Sequence, residues 1–325
     1  MTRTDPAQVL VDAAQRAQRA PSILNTQPWR WRVGAAVLHL FADLDRQIRS
    51  IDPEGRLLML SCGAALHHAR AALAATGHDV AVDRFPDPAV PDLLASLRLT
   101  SNHEPPYRDV EALRNMRRRH TDRRPFVATV AVPTEAISSM KQAAQSEDAW
   151  LHQIPPQQLP VLAAAAEKAA AAEARMEDYQ DDLDRWTRRP RTSGEGVPRE
   201  TVAAQTPRLV RIRDFTPGRE TLLDPGFGDD RFAEFLILAT ATDTPQHWLR
   251  AGEATSAAWL AATSAGLVVS VLSDVIEIGD ARALLRRLLD PPAYPQLVFR
   301  VGVNMQPQPP PESPRRPASE VIDYE

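Results

Sequence analysis

The sequence predicts an α+β fold, a mixed sheet flanked by helices, and predicts that this unit is internally duplicated within one chain. Two observations carry the prediction. Short β-branched or alternating apolar runs are interspersed with longer runs at helical spacing. Two small-residue helices also recur with the same punctuation: Gly252 follows Gly63, and Gly266 follows Gly77, by the same 189 positions (252 − 63 and 266 − 77). Each is followed by a Val-rich segment, Asp79 to Val82 in one case and Val268 to Val271 in the other. A second pairing sets Asp5-Pro6-Ala7-Gln8 against Val132-Pro133-Thr134-Glu135. Composition offers a competing account, since alanine-rich helices resemble one another. A genuine repeat would pack two small-faced helices about a pseudo-twofold axis, as in a symmetric dimer fused into one chain.

The 325 residues can bury a substantial core, and 43% hydrophobic with 25% charged residues is an ordinary globular balance. A net charge of −4 gives no reason to expect nucleic acid or a membrane surface as partner. Lys141 and Lys168 are the only lysines, so arginine clusters carry less information than usual. Cys62 is the only cysteine, which excludes an intramolecular disulfide and a thiolate cage and fits a reducing cytoplasm. It is expected to be buried and inert at a helix start. Met1 to Pro6 contain no apolar signal core, and no window is read as long enough to span a membrane. The histidines lack HExxH or HxxxH spacing, and His67 and His68 are expected on different sides of a helix, so no metal site is predicted.

In chain order, Asp5 and Pro6 open a helix that places Val9, Leu10, Ala13, Ala14 and Ala17 on one face. Trp29 to Val33 and Val37 to Phe41 read as a hairpin across Gly34-Ala35-Ala36. Ser61 or Cys62 opens the small-residue helix that Gly77 ends, and Val80 to Val82 and Ser96 to Leu99 are strands. Helices are expected from Thr134 to Gln145, from Pro156 to Trp186, from Trp248 to Ser264 and from Glu277 to Leu289. Strands are expected at Trp150 to Ile154, Phe235 to Thr240, Val268 to Leu272 and Gln296 to Val303. Residues 187–231 are broken by ten Pro and Gly residues and read as disordered or as a functional flap; a proline-rich tail with Arg315-Arg316 starts at Pro307.

Pro21-Ser22-Ile23-Leu24-Asn25-Thr26-Gln27-Pro28-Trp29 places Ser22, Asn25 and Gln27 between two prolines and a tryptophan. Such residues also make an ordinary helix-to-strand turn. The ordered string Pro-Ser-x-x-Asn-x-Gln-Pro-Trp resembles the flavin-contacting segment of nitroreductases. Arg118-Arg119-His120-Thr121-Asp122-Arg123 resembles the phosphate-holding segment of the same family. Each occurs once, which resembles the Acg family of fused-dimer nitroreductase-like proteins.

That resemblance implies a first half at 1–110, a second half at 111–325 with a lid insertion at about 187–231, and one FMN per chain between them. It implies that Arg119 and Arg123 hold the phosphate with His120 and Thr121, helped by backbone amides opening the following helix, and that Arg315 and Arg316 complete the pocket. Arg117 and Arg124 are read instead as solvated surface charges. Ser22, Asn25 and Gln27 would meet the flavin's polar edge or ribityl chain. Ser273 would lie near N5, although Ser273-Asp274 lacks the Glu-Gly pair of the family. Trp29, Trp31 and Trp259 are expected in the core. The implied function is an NAD(P)H-dependent flavin oxidoreductase, a monomer that mimics a dimer, acting on a small-molecule acceptor. The alternative is an FMN store with a closed site, and a third reading is a fold relic acting through protein contacts. No catalytic side chain is required, because the chemistry resides in the cofactor.

Overall fold

In a computed structural model, residues 5–127, 129–304, 306 and 308–324 are described. Met1 to Thr4, on which the reading of the N-terminus rests, and Pro307, the start of the tail, lie outside them. Helix α1 (Pro6–Ala17) is capped by the Asp5 carboxylate, which accepts from the Ala7 amide at 3.1 Å. Strands β1 (Trp29–Val33) and β2 (Val37–Ala42) form the expected hairpin. Helix α2 (Arg56–Ala74), β3 (His78–Arg84), β4 (Leu93–Asn102) and α3 (Tyr107–Arg118) follow. Then come α4 (Thr134–Gln145), β5 (Trp150–Gln153), α5 (Leu159–Glu173), α6 (Glu177–Thr187), β6 (Glu234–Thr240) and α7 (Pro245–Ser264). The chain finishes with β7 (Val268–Leu272), α8 (Asp274–Glu277), α9 (Gly279–Arg286), β8 (Tyr294–Gly302), α10 (Ala318–Val321) and β9 (Ile322–Tyr324).

These elements make two sheets. The first runs β3-β4-β2-β1-β9 and is mixed, because β9 joins β1 in parallel while the other pairs are antiparallel. The second runs β5-β6-β8-β7 and is antiparallel throughout. Helices α1 and α2 pack on the first sheet, and α4 and α7 on the second. Leu57, Leu58, Leu66 and Leu73 of α2 are each at most 2% exposed, and burying a side chain of that size contributes about 1.5–3 kcal/mol.

The two sheets are joined through α2 and α7, and glycine makes the junction possible. A Cβ on Gly63 would stand 2.0 Å from the Leu249 carbonyl oxygen; one on Gly252 would stand 2.0 Å from the Leu60 carbonyl oxygen. The contact is reciprocal at the sequence offset of the paired glycines. The same offset of 189 separates His67 from Ser256, whose side chains bond at 2.7 Å. His68 Nδ1 also reaches Ser256 Oγ, at 2.8 Å, so the two imidazoles expected to diverge meet on one hydroxyl.

Several boundaries differ from expectation. Helix α2 starts at Arg56, five to six residues early, because Asp52 caps it from a distance: its carboxylate accepts from the amides of Leu57 at 3.0 Å and Leu58 at 2.8 Å. Cys62 is therefore inside the helix and not at its start, with its thiol 3.0 Å from the Pro28 carbonyl and its pKa raised by burial. At 19 residues α2 also meets the length and hydropathy of a membrane span, contrary to expectation, yet 72% of that window is buried in the core. The single helix expected from Pro156 to Trp186 is two, α5 and α6, separated at residues 174–176. Helix α3 is absent from the expectation because it is strongly polar overall, with only Asn115 and Met116 buried. Strand β9 was not predicted either; three residues give no period to detect.

Candidate functional site

A cavity of about 750 Å³ lies over the junction of α2 and α7. Its floor is the α2 and α7 junction, presenting Leu57, Leu60 and Ser61 from one helix and Thr255, Trp259 and Thr263 from the other. One side is the turn from Pro21 to Asn25, and another is Arg119 to Thr121 after α3. Residues of the 187–231 segment, Gly196, Val197, Arg213 and Phe215, and of the tail, Pro314 and Arg315, complete the enclosure. The space brings together Ser22, Asn25, Arg119, His120, Thr121, Arg123, Ser273 and Arg315, which were selected from sequence.

Gln27 and Arg316 stand behind the wall. The Gln27 amide donates to the Gly194 carbonyl at 2.8 Å and accepts from the Arg316 amide at 3.0 Å. Arg316 is buried and bonded to Asp43, Glu320 and the Gln27 carbonyl. Asn25 bridges in the same way while also lining the cavity: its Nδ2 donates to the Gly196 and Pro314 carbonyls, each at 3.0 Å, and its Oδ1 accepts from Arg315 at 3.3 Å. The turn that arranges these amides is strained, with Leu24, Asn25 and Gln27 at φ 42°, 56° and 50°, a left-handed region that non-glycine residues seldom occupy. Ser22 Oγ steadies it by accepting from the Gln27 amide at 2.9 Å.

The cations are divided into two groups, which the sequence motif alone did not separate. At one end, Arg119 lies over the Trp259 ring, 4.6 Å from its centroid, and donates to the Arg19 carbonyl at 3.0 Å. Arg315 donates to the Gln18 and Arg19 carbonyls at 2.6 and 3.2 Å. Neither has a carboxylate partner among the described residues, and Arg119 Nε is buried without any partner. Burial, then the charges of Arg315 and Arg19, push the Arg119 pKa down to about 9; burial and Arg19 push Arg315 down to about 10. Like charges crowded together in this way form a place for an anion.

At the other end, Arg123 stacks over Phe215 at 4.5 Å and donates to Thr201. Burial and then Arg213 lower its pKa to about 10, against the pull of Asp122. Arg213 also meets the cavity but is tied to Glu277 and Glu173, at 2.5 and 3.3 Å. Burial raises Glu173 to about 7, with Glu277 and Asp274 adding to the rise and Arg213 opposing it.

Arg124 is not the solvated charge expected. It is 5% exposed and its Nη2 is 2.7 Å from the Asp122 carboxylate, which is fully buried. The loop is fixed from beneath by Arg300, wholly buried, which donates to the Asp122 and Arg124 carbonyls and pairs with Asp230. Arg117 is exposed and lines the cavity mouth. The expected amides of the following helix play no part: α4 starts at Thr134 and contributes nothing to the cavity. Trp29 and Trp31 are fully buried as expected, whereas Trp259 is both core and floor. Sequence reasoning did not select Ser61, Thr255, Arg213 or Phe215. The first two are small residues on core helices, and the others sit in a segment without periodicity.

At positions offset by the same 189 residues the chemistry is different. Trp259, Ser273 and Ser61 correspond to Arg70 (259 − 189), Arg84 (273 − 189) and Arg250 (61 + 189). These arginines gather on Glu253 and Glu147: Arg70 is 2.7 Å from both, Arg84 is 2.7 Å from Glu253, and Arg250 is 3.8 Å from it. Paired charges stand there where uncharged Trp259, Ser273 and Ser61 line the cavity.

No protein-family model matches the chain. A Mycobacterium tuberculosis protein bearing the name NAD(P)H nitroreductase acg is 36% identical over 334 residues, covering 99% of this chain and 96% of that one. A second NAD(P)H nitroreductase by name from the same organism is 38% identical over 314 residues, covering 95% and 89%. Among solved structures, a nitroreductase with bound FMN from Bacteroides fragilis has a TM-score of 0.39 at 13% identity, covering 63% of this chain and 95% of that one. NfrA2 of B. megaterium has a TM-score of 0.37 at 14% identity, covering 64% and 72%. With more than a third of its residues shared across nearly the full length of the mycobacterial protein, this chain belongs to the Acg family of nitroreductase-like proteins.

Proposed function

We propose that the protein is an FMN-dependent oxidoreductase reduced by NAD(P)H, with one FMN per chain in the cavity between the halves. The observation that carries this reading is the unpaired Arg119 and Arg315 beside Trp259, a cation pair at one end of a large, partly apolar space. A flavin phosphate fits there by charge, and the buried, partnerless Arg119 Nε is a donor awaiting an acceptor. Thr121 and His120 supply further polar groups, and burial keeps the His120 imidazole below its ordinary pKa. Arg123 stands apart with Phe215, so its role is at a different part of the ligand from Arg119. Ser22 and Asn25 remain candidates for its polar atoms, whereas Gln27 and Arg316 support the wall. The bound flavin would accept hydride and pass electrons to a small-molecule acceptor. The chain's own work is to bind, orient and screen it from water. The names of the mycobacterial relatives agree with this assignment.

The 187–231 segment supports a lid reading, because Val197, Val202 and Phe215 are buried and Gly196 and Val197 meet the cavity. The same burial favours one second reading, an FMN store whose closed site turns over little. The remaining proposals are a monomer that mimics a dimer, with neither nucleic acid nor membrane as partner. Visible spectra of the purified protein, followed by anaerobic NADPH, test the assignment. Yellow protein that bleaches supports the oxidoreductase; yellow protein that bleaches only with dithionite supports the store; colourless protein that takes up no FMN rejects both.

A further inference from the structure

We propose that His68 is a positioning residue for the anion-binding end of the cavity: its unprotonated Nε2 holds Arg119 in place through one buried water that accepts from the Arg119 Nε–H. The proposal rests on the flavin reading of the cavity and names what aims the cation that meets the phosphate. The donor left waiting at Arg119 then has its acceptor on the protein's side.

The hydrogen-bond partners assign the protons. His68, wholly buried in α2, brings Nδ1 to 3.1 Å from the Ala64 carbonyl oxygen and 2.8 Å from Ser256 Oγ. A carbonyl oxygen only accepts, so the His68 proton is on Nδ1. Ser256 Oγ accepts from it and is left to donate its own proton to His67 Nδ1, 2.7 Å away. The His67 proton is therefore on Nε2, which faces the Glu147 carboxylate at 3.9 Å. The reverse arrangement would set one lone pair against the Ala64 carbonyl and another against Glu147. Donation thus runs in one direction along the chain, which begins at His68 Nε2 with a lone pair. That atom is buried and has no partner among the described residues, a costly state for an acceptor.

Two further buried atoms without a partner among the described residues are Arg119 Nε, a donor, and Asn115 Oδ1, an acceptor. These residues are four apart at the end of α3, where the Arg119 amide bonds the Asn115 carbonyl at 2.8 Å, so their side chains share a face. Helix α7 brings His68 alongside them. Ser256, which His68 bonds, and Trp259, on which the Arg119 guanidinium lies, are three apart on that helix. The Arg119 charge, after burial, holds the His68 imidazole well below its ordinary pKa, as a cation near the ring must. Two acceptors and one donor are what a single water satisfies with its two protons and a lone pair. With Nε engaged there and Nη2 on the Arg19 carbonyl, the guanidinium is fixed at two points. Its remaining N–H groups are left for an anion in the cavity it lines.

The test uses the full chain. Long-range proton–nitrogen spectra, assigned by the signal lost in His68→Gln, should show the His68 proton on Nδ1. In His68→Phe, which keeps a ring and removes the acceptor, the Arg119 Nε–H should exchange with solvent faster than in the parent. The same variant should bind FMN roughly 10-fold more weakly while riboflavin, which has no phosphate, binds as before. His68→Gln, whose side chain offers an oxygen, should recover part of the FMN loss. A His68 proton on Nε2, or Arg119 Nε–H exchange unchanged in His68→Phe, would overturn the contact. Equal losses of FMN and riboflavin, or no loss of FMN, would overturn the positioning role and leave His68 a packing residue. A parent chain that binds neither flavin would reject the flavin reading, and the nitrogen spectra would then decide the His68 contact alone.

Discussion

At the scale of single residues, the structure redistributes the work of the basic motif. Arg119 pairs in space with Arg315, nearly two hundred positions away, and not with Arg123, its neighbour in the motif. Arg119→Ala/Arg315→Ala should therefore lower FMN affinity by orders of magnitude, since each charge-assisted bond contributes about 1.5–3 kcal/mol, while Arg123→Ala alone should cost less; fluorescence quenching on FMN titration separates them. Arg124 belongs to stability instead. Arg124→Ala leaves the buried Asp122 carboxylate without its cation and should cost about 3 kcal/mol in denaturant unfolding. Burial alone would raise the Asp122 carboxyl, but Arg124 and Asn304 hold it below its ordinary value, so its contribution is present at neutral pH and lost in acid, as pH falls through that lowered pKa. Glu173 has the opposite sign. Raised from 4.5 to about 7, it binds its proton more readily in the folded chain, so stability should decline as pH rises between those values. Melting temperatures of Glu173→Gln should be flatter than the parent's across that interval. Motif residues were legible in sequence because their order is specific. Their division into two groups was not, because Arg315 reaches Arg119 only through the tail's path.

At the scale of elements, periodic segments were legible: β1, α4, β7 and the body of α7 lie where apolar spacing puts them. Capping from Asp52, the polar helix α3 and the three-residue β9 were not, since each depends on contacts outside its own window. The paired glycines, read first as punctuation, include Gly63 and Gly252, where α2 and α7 approach too closely for a Cβ. Gly63→Ala and Gly252→Ala should each destabilise by about 2–3 kcal/mol through overpacking. Because each would press on the other's helix, the double variant should depart from additivity in chemical unfolding. The 187–231 segment is held at its start by the Asn25 and Gln27 amides. Replacing its interior with a short Gly-Ser bridge should speed NADPH-driven bleaching without loss of flavin. Unchanged rates in a variant that keeps its colour would remove the lid from the account.

At the scale of the whole molecule, the cavity is lined from widely separated stretches of chain: the turn at Pro21 to Asn25, α2, the residues after α3, the 187–231 segment, α7 and the tail. Reconstitution with excess FMN should stop at one flavin per chain, read from absorbance against protein concentration; two would reject the fused-dimer account. The ion network of Glu253 and Glu147 at the offset positions is the physical ground for that expectation. The return of β9 to β1 has a further consequence, for the order of events during folding. Gln27 and Arg316 are bonded across 289 positions, and the last strand is the edge of the first sheet. Closing so long a loop is entropically costly and comes late, so an emerging chain can assemble its helical centre well before its ligand chamber. Completion of the ligand chamber then waits on the segment that carries Arg315 and β9, and a chain lacking that segment would fold in outline while leaving the chamber unclosed.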